Sequence, residues 1–177
     1  MQKTNIILET ERCIVRPFTQ EDAENLMPIL GSEAVMHYSM TGAMDLSTIL
    51  TTIEDWIALY ERYGFAPWAV MHNNMLIGYA GLDIRVVKEI EQVQITFRLA
   101  ESHWGQGFAT ELAIAIRDYA FTSLGLSKVI AIIDPDNQAS IRTISKIGMR
   151  FEKAVIYGGL SLHVYKVSSL VEPKNKL

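Results

Sequence analysis

The chain has 177 residues, 49% of them hydrophobic, which is enough for one compact domain without disulfide or metal staples. Its 16 basic and 20 acidic residues leave a formal charge of −4, which lacks the basic footprint of a nucleic-acid binder. The single cysteine, Cys13, excludes an intrachain disulfide, no apolar run approaches the roughly 20 residues of a membrane span, and the N-terminal residues carry no signal pattern; a cytoplasmic protein with no membrane partner is expected.

Residues 6–18 read as a strand. Thr19, Gln20, Glu21 and Asp22 then resemble a capping box, whose hydroxyl and carboxylate satisfy the first amides of a helix running to Leu30, with Gly31 as its stop. Asp45 or Ser47 caps a second helix in which Ile49, Ile53, Trp56, Ile57 and Tyr60 share one face and read as core; Gly64 lies just past its end. Residues 65–71 and 75–85 are strand-like and joined by His72, Asn73 and Asn74, a turn signal that makes them a hairpin. Residues 86–91 read as a polar turn and 92–99 as the next antiparallel strand.

The pattern then changes. A helix over residues 107–124 turns Leu112, Ala113, Ile116 and Ala120 inward and stops at Gly125, and a short buried-type strand follows at 128–133, so the two strands flanking it run parallel. Asp136 or Asn137 caps a further helix ended by Gly148, and residues 151–157 and 160–168 flank Gly158 and Gly159 as a final hairpin. Residues 170–177 read as a frayed tail. The expected architecture is a single α/β domain over residues 1–177, with about four helices around one mixed sheet of about seven strands, mostly antiparallel with one parallel pair.

The strand at 92–99 leads into Trp104, Gly105, Gln106, Gly107, Phe108, Ala109, Thr110 and Glu111, where two glycines open a long helix. Unpaired first-turn amides and the positive helix end attract an anion such as phosphate, and glycine lets it come close. A plain tight turn is the alternative use of such a pair. A dinucleotide fold is disfavoured, because Thr110 holds the third-glycine position and no acidic strand end follows, and a P-loop is excluded by the missing Gly-Lys-Ser/Thr. A second signal lies downstream, in Asn137, Gln138, Ala139 and Ser140 followed by Lys146, Ile147, Gly148 and Met149.

Together the two segments resemble the GNAT superfamily of acyl-CoA-dependent N-acetyltransferases. The likeness is nearest to its RimJ/RimL-like branch, which includes the ribosomal-protein alanine acetyltransferases. It extends to the opening strand, Glu11, Arg12, Cys13, Ile14, Val15, Arg16, Pro17 and Phe18, and to Gly78, Tyr79, Ala80, Gly81 and Leu82. The resemblance implies a GNAT fold whose parallel pair splays at the centre of the sheet, acetyl-CoA as cofactor, and direct attack of an amine on its thioester. It also implies a set of cofactor-binding residues. Trp104, Gly105, Gln106, Gly107, Phe108, Ala109 and Thr110 would hold the pyrophosphate, while the backbone of Phe97, Arg98 and Leu99 would take the pantetheine arm opposite the 132–134 strand end. Asn137 would contact the same arm or serve only as a helix cap.

Catalytic residues are less legible. Many relatives protonate the leaving thiolate with a tyrosine where this chain has Ile144, so Ser140, which has that role in RimL-like enzymes, becomes the candidate acid; it is otherwise an ordinary first-turn hydroxyl. The usual glutamate base on the fourth strand is Gln94, and an amide takes no proton at neutral pH. RimL-like enzymes use a glutamate near the final hairpin, but residues 154–162 hold no carboxylate. Glu33, His37 and Glu101 are substitutes, or the proton leaves through water. No histidine spacing suggests a metal. The acceptor is a protein N-terminus or a small amine, read by residues 30–46 and the final hairpin, and the protein is a monomer or homodimer. The rivals are an inactive acyl-CoA-sensing module and an unrelated nucleotide-phosphate binder.

Overall fold

The computed structural model describes residues 5–170; the tail beyond Leu170 lies outside them. In chain order the elements are β1 (Leu8–Glu9), β2 (Ile14–Arg16), α1 (Ala23–Leu30), α2 (Glu33–Met36), α3 (Leu46–Tyr63), β3 (Pro67–His72), β4 (Met75–Val87), β5 (Ile90–Leu99), α4 (Phe108–Thr122), β6 (Lys128–Ile133), α5 (Gln138–Lys146), β7 (Arg150–Tyr157) and β8 (Leu160–Ser168). One sheet holds all eight strands in the order β1-β2-β3-β4-β5-β6-β8-β7, antiparallel throughout except for the β5/β6 pair.

The mixed α/β architecture is the expected one, with local differences that have physical causes. The opening strand divides into β1 and β2, because Thr10 turns the chain: its amide donates to the Cys13 carbonyl at 2.9 Å and its hydroxyl accepts from the Cys13 amide at 3.0 Å. Residues 86–91 are not a turn. β4 and β5 pair through Val87↔Ile90, and only Lys88 and Glu89 turn, both at positive φ (50° and 66°). Asn73 and Asn74 make the same kind of two-residue turn, with Asn types better suited to left-handed backbone. α2 is an additional four-residue turn capped by the Ser32 hydroxyl.

Two layers of helix sandwich the sheet. On one face Leu112, Ala113, Ile116 and Ala120 of α4 pack with Ile95, Leu82, Val129 and Ile144; all lie at 4% exposure or less. On the other, α1, α2 and α3 bury Leu26, Met36, Ile49 and Ile53 against Ala69 and Tyr79. Trp56 of the expected α3 stripe wedges between Phe18 and Tyr79, with ring centroids 5.1 and 4.8 Å away. A third cluster joins the β4/β5 tip to the end of the sheet, where Val87 is buried with Ile130, Val155, Leu162 and Val164.

Candidate active site

β5 and β6 meet in register only at Gln94↔Ile130 and diverge beyond it, which opens the centre of the sheet. A cavity of about 100 Å³ occupies the apex of this opening, and Gln94, Thr96, Ile132, Asp134, Ser140 and Ile144 are among its walls. A larger one, about 720 Å³, continues outward between the glycine loop, α2 and α5. Phe97, Arg98, Asn137 and Ser140 border both, so the two form one continuous cleft.

The glycine loop forms the floor of that cleft. Gly105 and Gly107 sit at φ 71° and 85°, a left-handed backbone that side chains with a Cβ adopt only under strain. None of the backbone amides of residues 105–110 donates to a protein acceptor among the described residues, and α4 starts without a side-chain cap. A strand end, two left-handed glycines and an uncapped helix N-terminus thus present a row of bare donors, the arrangement a diphosphate fits. Of the residues expected here, Trp104, Gly105, Gly107, Phe108, Ala109 and Thr110 line the cleft. Gln106 does not: its side chain turns back to donate to the Ser102 carbonyl at 2.7 Å. Trp104 is pinned by its indole N–H on the Leu99 carbonyl at 2.8 Å, and the Phe108 ring is buried, leaving only its backbone for the cleft.

An unforeseen latch holds this loop. Arg12, in the β1/β2 turn, donates from Nε to Glu111 at 2.7 Å and from Nη1 to the Gln106 carbonyl at 3.0 Å, and its guanidinium lies 3.9 Å from the Phe108 ring centroid. Because a trans peptide points its C=O and N–H in opposite directions, drawing the Gln106 carbonyl to Arg12 turns the Gly107 amide away from it. The Glu111 carboxylate also accepts from the Thr10 hydroxyl at 2.6 Å and the Arg12 amide at 2.9 Å. Burial pushes that carboxyl up, but these donors outweigh it and hold it below the ordinary glutamate value. Nothing in sequence spacing links residues 99 positions apart.

α5 supplies the opposite wall. Ala139, Arg142, Thr143 and Lys146 recur at i, i+3, i+4 and i+7 and line the cleft as one helix face, so two cations overlook it: Lys146, which the sequence showed only as part of a motif, and Arg142, which it did not single out. Asn137 caps α5, its side-chain oxygen accepting from the Ser140 amide at 3.1 Å, and its amide nitrogen has no partner among the described residues. The Ser140 hydroxyl likewise has none. Ile144, at the tyrosine position of the family, is fully buried at the apex.

For proton removal the structure separates the candidates. Gln94 is 8% exposed at the apex. His37 lines the larger cavity, whereas Glu33 and Glu101 do not, and Glu101 accepts from the Ser32 hydroxyl at 3.0 Å. His103 lines it too, beside His72 and Phe108, and burial, then His72, pushes its imidazole down. The carboxylate missed by sequence reading is Asp83, which faces Gln94 across the β4/β5 ladder, pairs with Arg85 at 2.7 Å and is pushed above the ordinary range by burial. Cys13 is 2% exposed in the α4 core, and burial followed by Glu111 raises its thiol, so it is a packing residue.

Comparison with known proteins agrees with this geometry. Residues 12–150 match the model of the Acetyltransferase (GNAT) domain. Among curated relatives, YoaA, an uncharacterized N-acetyltransferase of Bacillus subtilis (strain 168), is 29% identical over 95% of this chain and 98% of its own. YnaD, an uncharacterized N-acetyltransferase of the same organism, is 41% identical over 82% and 83%. Among solved structures, a GNAT-family acetyltransferase of Bacillus anthracis superposes with a TM-score of 0.78 at 22% identity, covering 91% of this chain and 97% of its own. RimL, the ribosomal L7/L12 alpha-N-protein acetyltransferase solved with coenzyme A, gives 0.76 at 16% identity, covering 93% and 98%. The chain belongs to the GNAT acetyltransferase family.

Proposed function

We propose that this protein transfers the acetyl group of acetyl-CoA to a primary amine, on a protein N-terminus or a small molecule, by direct attack. The observation that carries it is the single cleft running from the bare amides of residues 105–110 to the open apex between β5 and β6. Its length and its two ends, phosphate donors outside and an opened sheet inside, suit a long ligand with a diphosphate at one end and a reactive thioester at the other. Acetyl-CoA supplies the activated acyl group. The amides of residues 105–110 hold its diphosphate, with Arg142 and Lys146 facing the remaining negative charge. The backbone of Phe97 and Arg98 and the free amide nitrogen of Asn137 align its arm, so that the thioester lies by Gln94 and Ser140.

As the amine nitrogen bonds to the acyl carbon, the carbon–sulfur bond breaks; Ser140 passes its hydroxyl proton to the departing sulfur and takes one back from water, and the nitrogen loses a proton to water, so the serine ends as it began. No cysteine lines the apex, and the Ser140 hydroxyl has no partner among the described residues to activate it as a nucleophile, which favours direct attack. The nearness in fold to RimL supports an N-terminal amine as one acceptor class. The test is thiol release from acetyl-CoA against a panel of amines, together with calorimetric titration of CoA, ATP and NAD. Thiol release with at least one amine supports transfer. Tight CoA binding without release on any amine would leave an acyl-CoA sensor, and preference for ATP or NAD would reject the cofactor.

A further inference from the structure

The arginines of this chain are mostly accounted for. Arg12 pairs with Glu111, Arg16 with Asp22, Arg85 with Asp83 and Arg117 with Asp118, each at 2.6 to 2.7 Å. Arg142 overlooks the outer cleft. Arg98 is the exception inside the site. Its side chain is half-buried and borders both cavities, yet no carboxylate among the described residues pairs with it, and the partner of its Nη1 is the thioether sulfur of Met36. A thioether is a weak acceptor that brings no charge. A guanidinium bordering a cleft with no anion beside it is placed to take one from a ligand.

The position of Arg98 says which ligand that is. Strand alternation puts Arg98 on the face that carries Thr96 and Gln94, and it stands opposite Tyr79, which packs under α1 and α3. Its Met36 contact is to α2. The neighbouring residues Phe97 and Leu99 point to the other face, into the core built on α4, whose N-terminus bears the glycine loop. The guanidinium therefore faces away from the loop that holds phosphate and towards the α2 side, where Val35, His37 and Tyr38 bound the cleft. Arginine's planar fork matches a carboxylate better than a lysine ammonium does.

Resting on the acetyl-transfer reading above, we propose that Arg98 binds a carboxylate carried by the acceptor, so that the amines used are ones with a carboxylate near the reacting nitrogen. Two sources share that chemistry. One is the α-carboxylate of a free amino acid; the other is an acidic side chain next to the N-terminal amine of a peptide.

The experiment measures thiol release from acetyl-CoA with matched acceptor pairs. One arm compares amino acids with their primary amides, the other compares peptides having Asp or Asn at the second position. The wild-type protein should favour the acid member of one arm by about tenfold or more in kcat/KM, carried mainly by KM. In Arg98→Gln the preference should vanish, with kcat/KM for the acid member falling to that of its neutral partner. Arg98→Lys, which keeps the charge without the fork, should retain a reduced preference; it decides the matter if Arg98→Gln does not fold. Equal use of both members by the wild type, or a preference that survives Arg98→Gln, overturns the proposal while leaving acetyl transfer intact. A fall in CoA affinity that matches the fall in rate assigns Arg98 to the cofactor instead. No thiol release from any amine, with CoA bound, overturns acetyl transfer and this inference with it.

Discussion

In the proposed reaction Ser140 has two separable jobs, because its amide belongs to the α5 cap while its hydroxyl stands free at the apex. Ser140→Ala keeps the amide, so its effect reads the hydroxyl alone. We expect kcat to drop by about 100-fold, within the range of general acid catalysis, with CoA affinity and melting temperature little changed. Full turnover in the variant would assign thiolate protonation to water. The neighbouring proton acceptor can be tested by pH. Asp83 faces Gln94 but is tied to Arg85 and does not border the cleft, so the amine should have to lose its proton to solvent. The expected profile of kcat/KM climbs with pH to the amine's own pKa and is unaltered in Asp83→Asn. A plateau well below that value, lost in Asp83→Asn or His37→Gln, would identify a protein base. Asp83→Asn also loses the ion pair with Arg85, so its melting temperature is measured alongside the profile. The raised carboxyl of Asp83 contributes stability that is full below the unfolded value, near pH 3.9, and lost as pH rises through the folded value.

At the scale of elements, the glycine loop depends on a turn from the other end of the chain. Arg12→Gln removes the ion pair with Glu111 and the hold on the Gln106 carbonyl, freeing the loop to turn its amides away. CoA should then bind about tenfold more weakly, while acetyl-pantetheine, which lacks the diphosphate, should be used as well as before. Equal losses for both ligands would mean that Arg12 supports the fold in general and not the loop. The contrast between these two features shows what the sequence could and could not convey. Helix and strand periods exposed nearly every element, and the glycine pair, Asn137 and Ser140 stood out because their local backbone roles demand those residue types. Arg12 did not, since its partner Glu111 is chosen by tertiary packing, and neither did Asp83, whose place opposite Gln94 is set by the register of β4 on β5. Arg142 and Lys146 were visible in spacing, but on an amphipathic helix a polar stripe normally faces solvent, and only the opening of the sheet turns it into a wall. The β4/β5 turn was drawn too wide because Lys88 and Glu89 adopt left-handed backbone against their preference, under the pull of a long ladder and the buried Val87.

On the scale of the whole molecule, the acceptor side of the cleft is closed by parts distant in sequence. The segment at residues 37–45, between α2 and α3, crosses to the far half of the sheet, where the Tyr38 hydroxyl donates to the Asp136 carbonyl at 3.2 Å ahead of α5. Two residues on, the methyl end of Met40 lies over Gly158 in the β7/β8 turn, where a Cβ would meet it. The segment and the final hairpin thus touch each other on the acceptor side, and we expect the amine to enter beside them. Gly158 sits at φ 56°, so Gly158→Ala strains the turn slightly and also pushes Met40 off it. Met40→Ala removes the contact without straining the turn, and the pair of variants separates the two effects. Since neither residue borders the CoA cleft, CoA titration should be unchanged in both. Both should raise the acceptor's KM several-fold and leave kcat for a saturating amine within about twofold. If Met40→Ala matches the wild type while Gly158→Ala is impaired, the effect belongs to the turn. If both variants keep the wild-type KM, the contact plays no part in admitting the amine.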